Sequence, residues 1–188
     1  IIYNEDSVVA QWIARGASGW RLDVADELPD AFLDNLTRAV KKINPEGIVL
    51  GEVWEDASNK VAYSLRRRYL LGKQLDSVTN YPFKDAIIRF ARLGDGANLK
   101  RTVDSIVNNY PPRVLRNLMN PLSTHDTVRA LVAVSGEELP GTKNERAEFR
   151  LRDPETAKKR LRLAAALQYT LPGVPCLYYG DEAGAEGC

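Results

Sequence analysis

The chain has 188 residues, of which 44% are hydrophobic and 27% are charged, the composition of an ordinary soluble globular domain. Its formal net charge of +1 and its pI of about 7.9 give no reason to expect a nucleic acid or an anionic membrane as partner. No apolar run approaches the roughly 20 residues of a membrane-crossing helix, and a single histidine with two cysteines, Cys176 and Cys188, excludes a histidine-rich zinc site and a disulfide framework.

Both ends of the chain indicate a piece of a longer protein. The sequence begins at Ile1 without an initiator Met and without the basic and apolar regions of a signal peptide, and it ends directly after a glycine-rich acidic loop. We therefore expect residues 1–188 to be truncated at both ends. A cytoplasmic location is our working expectation, although the region that would decide it precedes Ile1.

Helical and strand patterns alternate along the chain, without an internal repeat or a linker. Apolar residues at helical spacing, capping residues and proline or glycine stops define the helices, and short apolar runs define the strands. In chain order the sequence predicts a helix capped by Ser7, a strand at 19–24, a helix from Pro29 to Asn44, a strand at 47–52, a basic helix at 58–72, a strand at 75–81, helices at 83–93 and 98–108, a strand at 115–120, a polar connection at 134–152, a helix capped by Asp153 and a strand at 175–180.

Nearly continuous apolar strands that alternate with helices are typical of a parallel sheet covered on its faces, as a doubly wound sheet or a barrel. Polar residues at or just beyond the carboxyl ends of successive strands favour the barrel, because those ends converge on one mouth. These residues are Asp23, Glu52, Asn80, His125, Asp126, Asp181 and Glu182. A whole barrel needs eight strands in roughly 250 residues, and about five are predicted here, so the fold class is α/β with a partial (β/α)8 TIM barrel.

Four segments, in order, resemble the motifs of the α-amylase family, glycoside hydrolase family 13. Residues 19–27 (Gly-Trp-Arg-Leu-Asp-Val-Ala-Asp-Glu) resemble the nucleophile motif and 51–56 (Gly-Glu-Val-Trp-Glu-Asp) the acid/base motif. Residues 123–129 are similar to the motif of the third acid, and 173–184 to the segment of the last barrel strand. The resemblance is closest to the neopullulanase and cyclomaltodextrinase branch. It implies that residues 1–188 carry roughly barrel strands four to eight with their helices.

The resemblance implies a retaining mechanism with three carboxyl groups. Asp23 would be the nucleophile, and Glu52 would be the general acid that becomes the base in the second step. Asp126 would assist distortion of the sugar and stabilise the oxocarbenium-like transition state. Retention requires the first two groups to lie about 5 to 5.5 Å apart, a separation that two adjacent barrel strands can supply. We expect all three carboxyls at one end of a curved parallel sheet.

Three further residues are predicted to bind substrate or to support the nucleophile. Arg21 lies two positions before Asp23, so their side chains share a strand face and can pair. By resemblance His125 would bond sugar hydroxyls. Trp54 could stack on a sugar face, although packing in the core is an equally good interpretation.

Two positions depart from the family pattern: Asp26 replaces an Asn, and Glu55 stands where a His is common. Asp26 and Glu27 could instead favour the start of the next helix electrostatically. Arg66–Arg68 is interpreted as a solvated helix face. A catalytic Ser123–His125–Asp126 arrangement is rejected, because neighbours along an extended segment point to opposite sides.

Three hypotheses follow. The parent protein hydrolyses or transfers α-1,4- and α-1,6-linked glucans such as starch, pullulan or cyclodextrins, with an oligosaccharide or polysaccharide as its partner. Alternatively, it resembles amylase-like transporter subunits that have the fold without catalysis. The third hypothesis concerns residues 1–188 alone, which would self-associate through unpaired sheet edges and be inactive. We predict no cofactor and no metal here; the calcium that many relatives bind would be held by residues before Ile1.

Overall fold

A computed structural model describes residues 1–186, so the expectation for Cys188 lies outside the described residues. Within that range Cys176 is a free thiol. The chain divides into two compact units: Ile1–Asn80 with Ile106–Met119, and Tyr81–Ser105 with the described residues from Asn120 onward. None of the helices in residues 1–186 is long and apolar enough to cross a membrane.

Helices and strands occur throughout the described residues. In chain order they are α1 (Val8–Ala14), β1 (Gly19–Leu22), a 3-10 turn (Ala25–Glu27), α2 (Asp30–Ile43), β2 (Ile48–Gly51), β3 (Val61–Ala62), β4 (Leu65–Arg66), β5 (Ser77–Val78), α3 (Tyr81–Leu93), α4 (Gly96–Asn109), α5 (Pro112–Arg116), β6 (Met119–Pro121), α6 (Ala130–Ser135), α7 (Lys143–Glu148), α8 (Pro154–Thr170) and β7 (Val174–Cys176).

The first unit is organised around a parallel sheet of strand order β1-β2-β5. Gly19 pairs with Ile48 and Leu22 with Gly51, so β1 and β2 end at the same level. β5 runs parallel to β2 on its other side. Because the strands are parallel, the residues that follow β1 and β2 emerge at one edge of the sheet.

Helix α2 follows from its sequence signals. Pro29 precedes its first residue, where the missing N–H of proline costs nothing, and Asn44 ends it. Leu33, Leu36 and Val40 recur at helical spacing and are all buried. This apolar stripe is the face that α2 contributes to the core of the first unit.

In the second unit, α3, α6 and α8 pack against one another. A buried cluster of Leu131, Val132, Leu151 and Ala157 forms part of its core. Asp153 caps α8 by accepting the N–H of Thr156, as the sequence predicts. Strands β6 and β7 form a two-stranded sheet.

The prediction of a basic helix at 58–72 is wrong. The segment forms the antiparallel pair β3 and β4, and Tyr63 and Ser64 between the strands have φ values of 52° and 62°. These left-handed conformations interrupt a right-handed helix. The interpretation of Arg66–Arg68 as a solvated helix face is also wrong, because Arg67 is buried.

Two other predicted segments differ from the structure. Residues 112–116 form α5, because Pro112 suits the first helical turn. This helix includes the first two residues of the strand predicted for 115–120, and β6 begins only at Met119. The predicted polar connection at 134–152 includes the end of α6 and all of α7, which begins with a capping box at Thr142 and Glu145.

The predicted α/β class is confirmed, with a parallel sheet in the first unit. The strands within residues 1–186 form one three-stranded and two two-stranded sheets and do not close into a barrel. Which barrel strands the chain carries stays a prediction.

Replacement of Leu33 by Ala should lower the free energy of unfolding by about 2–5 kcal/mol, because Leu33 is completely buried and the change leaves a cavity. Leu71→Ala is the matched control: Leu71 is 78% exposed, and its truncation should cost less than about 0.5 kcal/mol. Urea unfolding of both variants measures the difference. Equal losses would contradict the assignment of α2 to the core.

Candidate active site

Asp23 and Glu52 follow the carboxyl ends of two adjacent parallel strands. Asp23 comes directly after Leu22 of β1, and Glu52 directly after Gly51 of β2. Backbone hydrogen bonds continue past the paired strands, because the Glu52 N–H donates to the Leu22 carbonyl (2.9 Å) and the Ala25 N–H donates to the Glu52 carbonyl (3.0 Å). The backbone itself therefore brings the two carboxyl-bearing residues together.

One guanidinium joins the two carboxylates. Arg21 donates through Nη1 to Oδ1 of Asp23, and its Nη2 lies 2.7 Å from Oε1 of Glu52. We call this contact the Arg21 bridge. The contact with Asp23 is the one that strand periodicity predicts, whereas the contact with Glu52 depends on the register of two strands and was missed.

Glu52 is almost completely buried, with 1% of its side chain exposed, whereas 67% of the Asp23 side chain is exposed. Oε2 of Glu52 also accepts the backbone N–H of Val24 at 3.1 Å. Val24 adopts a left-handed conformation with φ of 40°, an unfavourable one for a β-branched residue. A strained backbone conformation of this kind costs about 1–3 kcal/mol and persists only where surrounding contacts hold it. Val24 directly follows Asp23 and is held by its hydrogen bond to Glu52.

Trp54 follows Glu52 by two positions and is 42% exposed. This exposure contradicts the alternative that Trp54 is a core residue. Its stacking on a sugar ring stays a prediction.

His125 and Asp126, which belong to the second unit, contact each other. Nε2 of His125 lies 3.0 Å from Oδ2 of Asp126, and both side chains are about half exposed. The argument that these neighbours point apart is therefore wrong. They lie in a turn in which the Thr127 N–H donates to the Thr124 carbonyl (3.2 Å), so the alternation of an extended strand does not apply.

Ser123 has a different partner. Its hydroxyl donates to both carboxylate oxygens of Asp181, at 2.9 and 2.7 Å, and both residues are buried. Burial raises the pKa of the Asp181 carboxyl, although the Ser123 hydrogen bond opposes that rise. This pair lies inside the second unit and provides a better reason to reject a Ser-His-Asp triad. Sequence reasoning missed it because 58 positions separate the two residues.

The two departures from the family pattern meet on one lysine. Lys60 Nζ lies 3.0 Å from Oδ2 of Asp26 and also pairs with Glu55. Oδ1 of Asp26 accepts the hydroxyl of Tyr69 at 2.6 Å. Asp26 is therefore bonded by two side chains of the segment that follows β2, and with Glu27 it also lies in the first turn of the 3-10 helix, so its role as a helix-start charge stays a prediction.

The structure thus presents the predicted site residues as two groups. Arg21, Asp23, Glu52 and Trp54 belong to the first unit, and His125 and Asp126 to the second. The convergence of all three carboxyls at one mouth stays a prediction. Across residues 1–186, no three His, Cys, Asp or Glu side chains are grouped as metal ligands would be.

Comparison with known proteins identifies the family. The family profile described as "Alpha amylase, catalytic domain" matches residues 2–188. Neopullulanase 2 of Thermoactinomyces vulgaris is 36% identical over 178 residues, covering 94% of this chain and 26% of the relative. A cyclomaltodextrinase of Bacillus sp. is 34% identical over 179 residues, with 94% and 27% covered. The chain spans about a quarter of the length of these relatives.

Two solved structures of enzymes are also similar to this chain. The cyclic α-maltosyl-(1→6)-maltose hydrolase of Arthrobacter globiformis, in complex with its cyclic saccharide, is 28% identical with a TM-score of 0.75, covering 96% of this chain and 35% of that one. The debranching enzyme of Nostoc punctiforme is 28% identical with a TM-score of 0.74, with 95% and 35% covered.

Replacement of Arg21 by Met should lower the free energy of unfolding by about 2–3 kcal/mol, because the buried Glu52 carboxylate then loses its cation. The expected loss lies toward the low end for buried pairs because 30% of the Arg21 side chain is exposed. Arg152→Met serves as control: that side chain is 91% exposed and pairs with Glu137 at 3.5 Å, so its loss should be below about 1 kcal/mol. Urea unfolding tests both, and an Arg21→Met variant as stable as the parent would exclude the structural role.

Proposed function

The chain belongs to the α-amylase family of glycoside hydrolases, and on that premise we propose that the protein cleaves or transfers α-1,4- and α-1,6-linked glucans with retention of configuration. The observation that carries the proposal is the Arg21 bridge, which holds Asp23 and Glu52 together at the ends of two adjacent parallel strands. Neopullulanase and cyclomaltodextrinase among the relatives support pullulan, starch and cyclodextrins as substrates.

The proposed first step uses both carboxyls. The Asp23 carboxylate attacks the anomeric carbon while the Glu52 carboxyl gives its proton to the leaving glycosidic oxygen, and a covalent glycosyl-enzyme forms as the bond breaks. In the second step Glu52 takes a proton from water or from a sugar hydroxyl. The oxygen of that water or hydroxyl attacks the anomeric carbon and displaces the Asp23 carboxylate from it. Water gives hydrolysis and a sugar hydroxyl gives transfer.

The exposure of the Asp23 carboxyl agrees with its proposed role, whereas the buried Glu52 carboxyl must move to perform its own. Asp23 is open to solvent, so a sugar can approach it directly. Glu52 contacts Arg21 and accepts the Val24 N–H as a carboxylate, and we propose that it takes up a proton from solvent and rotates away from the Val24 N–H to reach a leaving oxygen before the first step. Arg21 would keep both groups in place during the step.

The remaining proposed roles belong to His125, Asp126 and Trp54. Asp126 would stabilise the positive charge that develops on the ring, His125 would bond sugar hydroxyls, and Trp54 would stack on a sugar face. The contact between His125 and Asp126 supports a joint orientation of these two side chains. No step requires a metal or a cofactor.

A catalytically silent scaffold with the same fold is the alternative. It is disfavoured by the burial of Glu52 beside Arg21, since replacing a buried ion pair with apolar residues is often neutral or stabilising. A scaffold could therefore replace this pair by apolar residues, whereas the proposed reaction needs both carboxyls. We further propose that residues 1–188 form roughly strands four to eight of the barrel, and that the parent protein supplies the others.

Glu52→Gln in the full-length protein should reduce release of reducing sugar from starch, pullulan and cyclodextrin by at least about a hundredfold, because the amide cannot donate the catalytic proton. Glu46→Gln, a change at an exposed loop residue, is the matched control and should keep the parent activity. Thermal unfolding verifies that both variants are folded. Activity of Glu52→Gln within a few-fold of the parent would exclude Glu52 as the acid.

The isolated chain of residues 1–188 should form a dimer or a larger assembly and show little or no glucan hydrolysis. Unpaired sheet edges favour association, and loss of the remaining subsite walls would leave a sugar poorly positioned, which can cost orders of magnitude in rate. Light scattering and a reducing-sugar assay beside the full-length protein test this. A clean monomer, or turnover close to that of the parent, would contradict it.

A further inference from the structure

Lys60 occupies a position that the proposed mechanism does not use. Its two carboxylate partners stand in equivalent places: Asp26 is three residues after Asp23, and Glu55 is three residues after Glu52. We call the contact of Lys60 with Asp26 and Glu55 the Lys60 bridge. Only 17% of the Lys60 side chain and 18% of the Asp26 side chain are exposed.

The ammonium group of Lys60 is charged in this position. Burial alone lowers the pKa of Lys60, but hydrogen bonds to Glu55 and Asp26 outweigh it, and the net pKa is raised. Lys60 therefore bonds to both carboxylates, and its single positive charge neutralises one of their two negative charges. Without it, two negative charges would face each other near the proposed active site.

The Lys60 bridge and the Arg21 bridge connect the same two loops at different points. Arg21 joins Asp23 to Glu52, where the loops begin, and Lys60 joins Asp26 to Glu55, three residues later. Between them the Ala25 N–H donates to the Glu52 carbonyl. The Lys60 bridge therefore adds a contact between the loops three residues beyond the Arg21 bridge.

Residues 60–69, which we call the clamp segment, strengthen the same connection. The guanidinium of Arg67 donates to the carbonyls of Asp26 (3.1 Å) and Leu28 (2.5 Å), and it lies 4.9 Å from the centre of the Tyr69 ring. Tyr69 in turn donates to Asp26. The clamp segment is thus bonded to both the backbone and the side chain of the loop after Asp23.

We infer that Lys60 is a positioning residue for the reaction proposed above: it fixes the loop after Asp23 against the loop after Glu52 and thereby sets the spacing of the two reacting carboxyls. The inference rests on the proposed function. It assigns Lys60 no contact with substrate.

Kinetics of the full-length protein on pullulan and cyclodextrin test this role. Lys60→Met should lower kcat by about tenfold or more with KM changed by less than about threefold, because a misplaced carboxyl impairs the step more than binding. Lys60→Arg can bond both carboxylates and should restore kcat to within about threefold of the parent. Lys158→Met is the matched control, since that lysine is exposed on the surface of α8 and pairs there with Glu155, and its kcat and KM should equal those of the parent.

A folded Lys60→Met variant with kcat within twofold of the parent would overturn the inference, as would a loss that Lys60→Arg fails to rescue. If Lys60→Met does not fold, the pair Asp26→Asn and Glu55→Gln breaks the same bridge from the carboxylate side, and the same limits apply. A parent protein inactive on every glucan would refute the proposed function alone. In that case a crystal structure of the variant decides, since unchanged positions of the Asp23 and Glu52 carboxyls would exclude the role of Lys60.

Discussion

The contact between Arg21 and Glu52 is the constraint on which the site in the first unit depends. A carboxylate that is almost completely buried is costly unless a cation and hydrogen bonds replace water, and Arg21 with the Val24 N–H supplies both. The guanidinium reaches Glu52 because Arg21 pairs with Leu50 in the register of β1 and β2. A slip of one residue would turn the Arg21 side chain to the opposite sheet face, so the ion pair and the register specify each other.

Much of this arrangement could be predicted, because it depends on local periodicity. Alternation along a strand predicts the contact of Arg21 with Asp23, and helical spacing with proline and asparagine signals predicts α2. The family, too, could be predicted from four short motifs, and the profile match confirms it. The contact of Arg21 with Glu52 could not, because 31 positions separate the two residues and only the paired strands bring them together.

The wrong predictions have two physical causes: local patterns ignore tertiary partners, and they miss turns and caps that interrupt an expected segment. Arg66–Arg68 is polar enough for a solvated face, but Arg67 finds the carbonyls of Asp26 and Leu28 and an aromatic ring, so it is buried. His125 and Asp126 meet because a turn replaces the extended backbone on which the contrary argument rested. Asp26 and Glu55 are separate departures from the family pattern in the sequence. Only the fold brings both of them into contact with Lys60.

Charged contacts of this kind are better suited to positioning than to stabilisation. The paired strands are only two to four residues long, and beyond Leu22 and Gly51 only a few backbone hydrogen bonds connect the loops that carry the proposed catalytic carboxyls. Apolar packing tolerates small shifts of a loop, whereas an ion pair with several hydrogen bonds loses most of its energy when its geometry changes. Because desolvation offsets much of the attraction in a buried pair, the net gain in folding free energy is small. What the Arg21 and Lys60 bridges supply is therefore a fixed separation of two loops, and a reaction that needs two carboxyls on opposite sides of one sugar carbon requires such a separation.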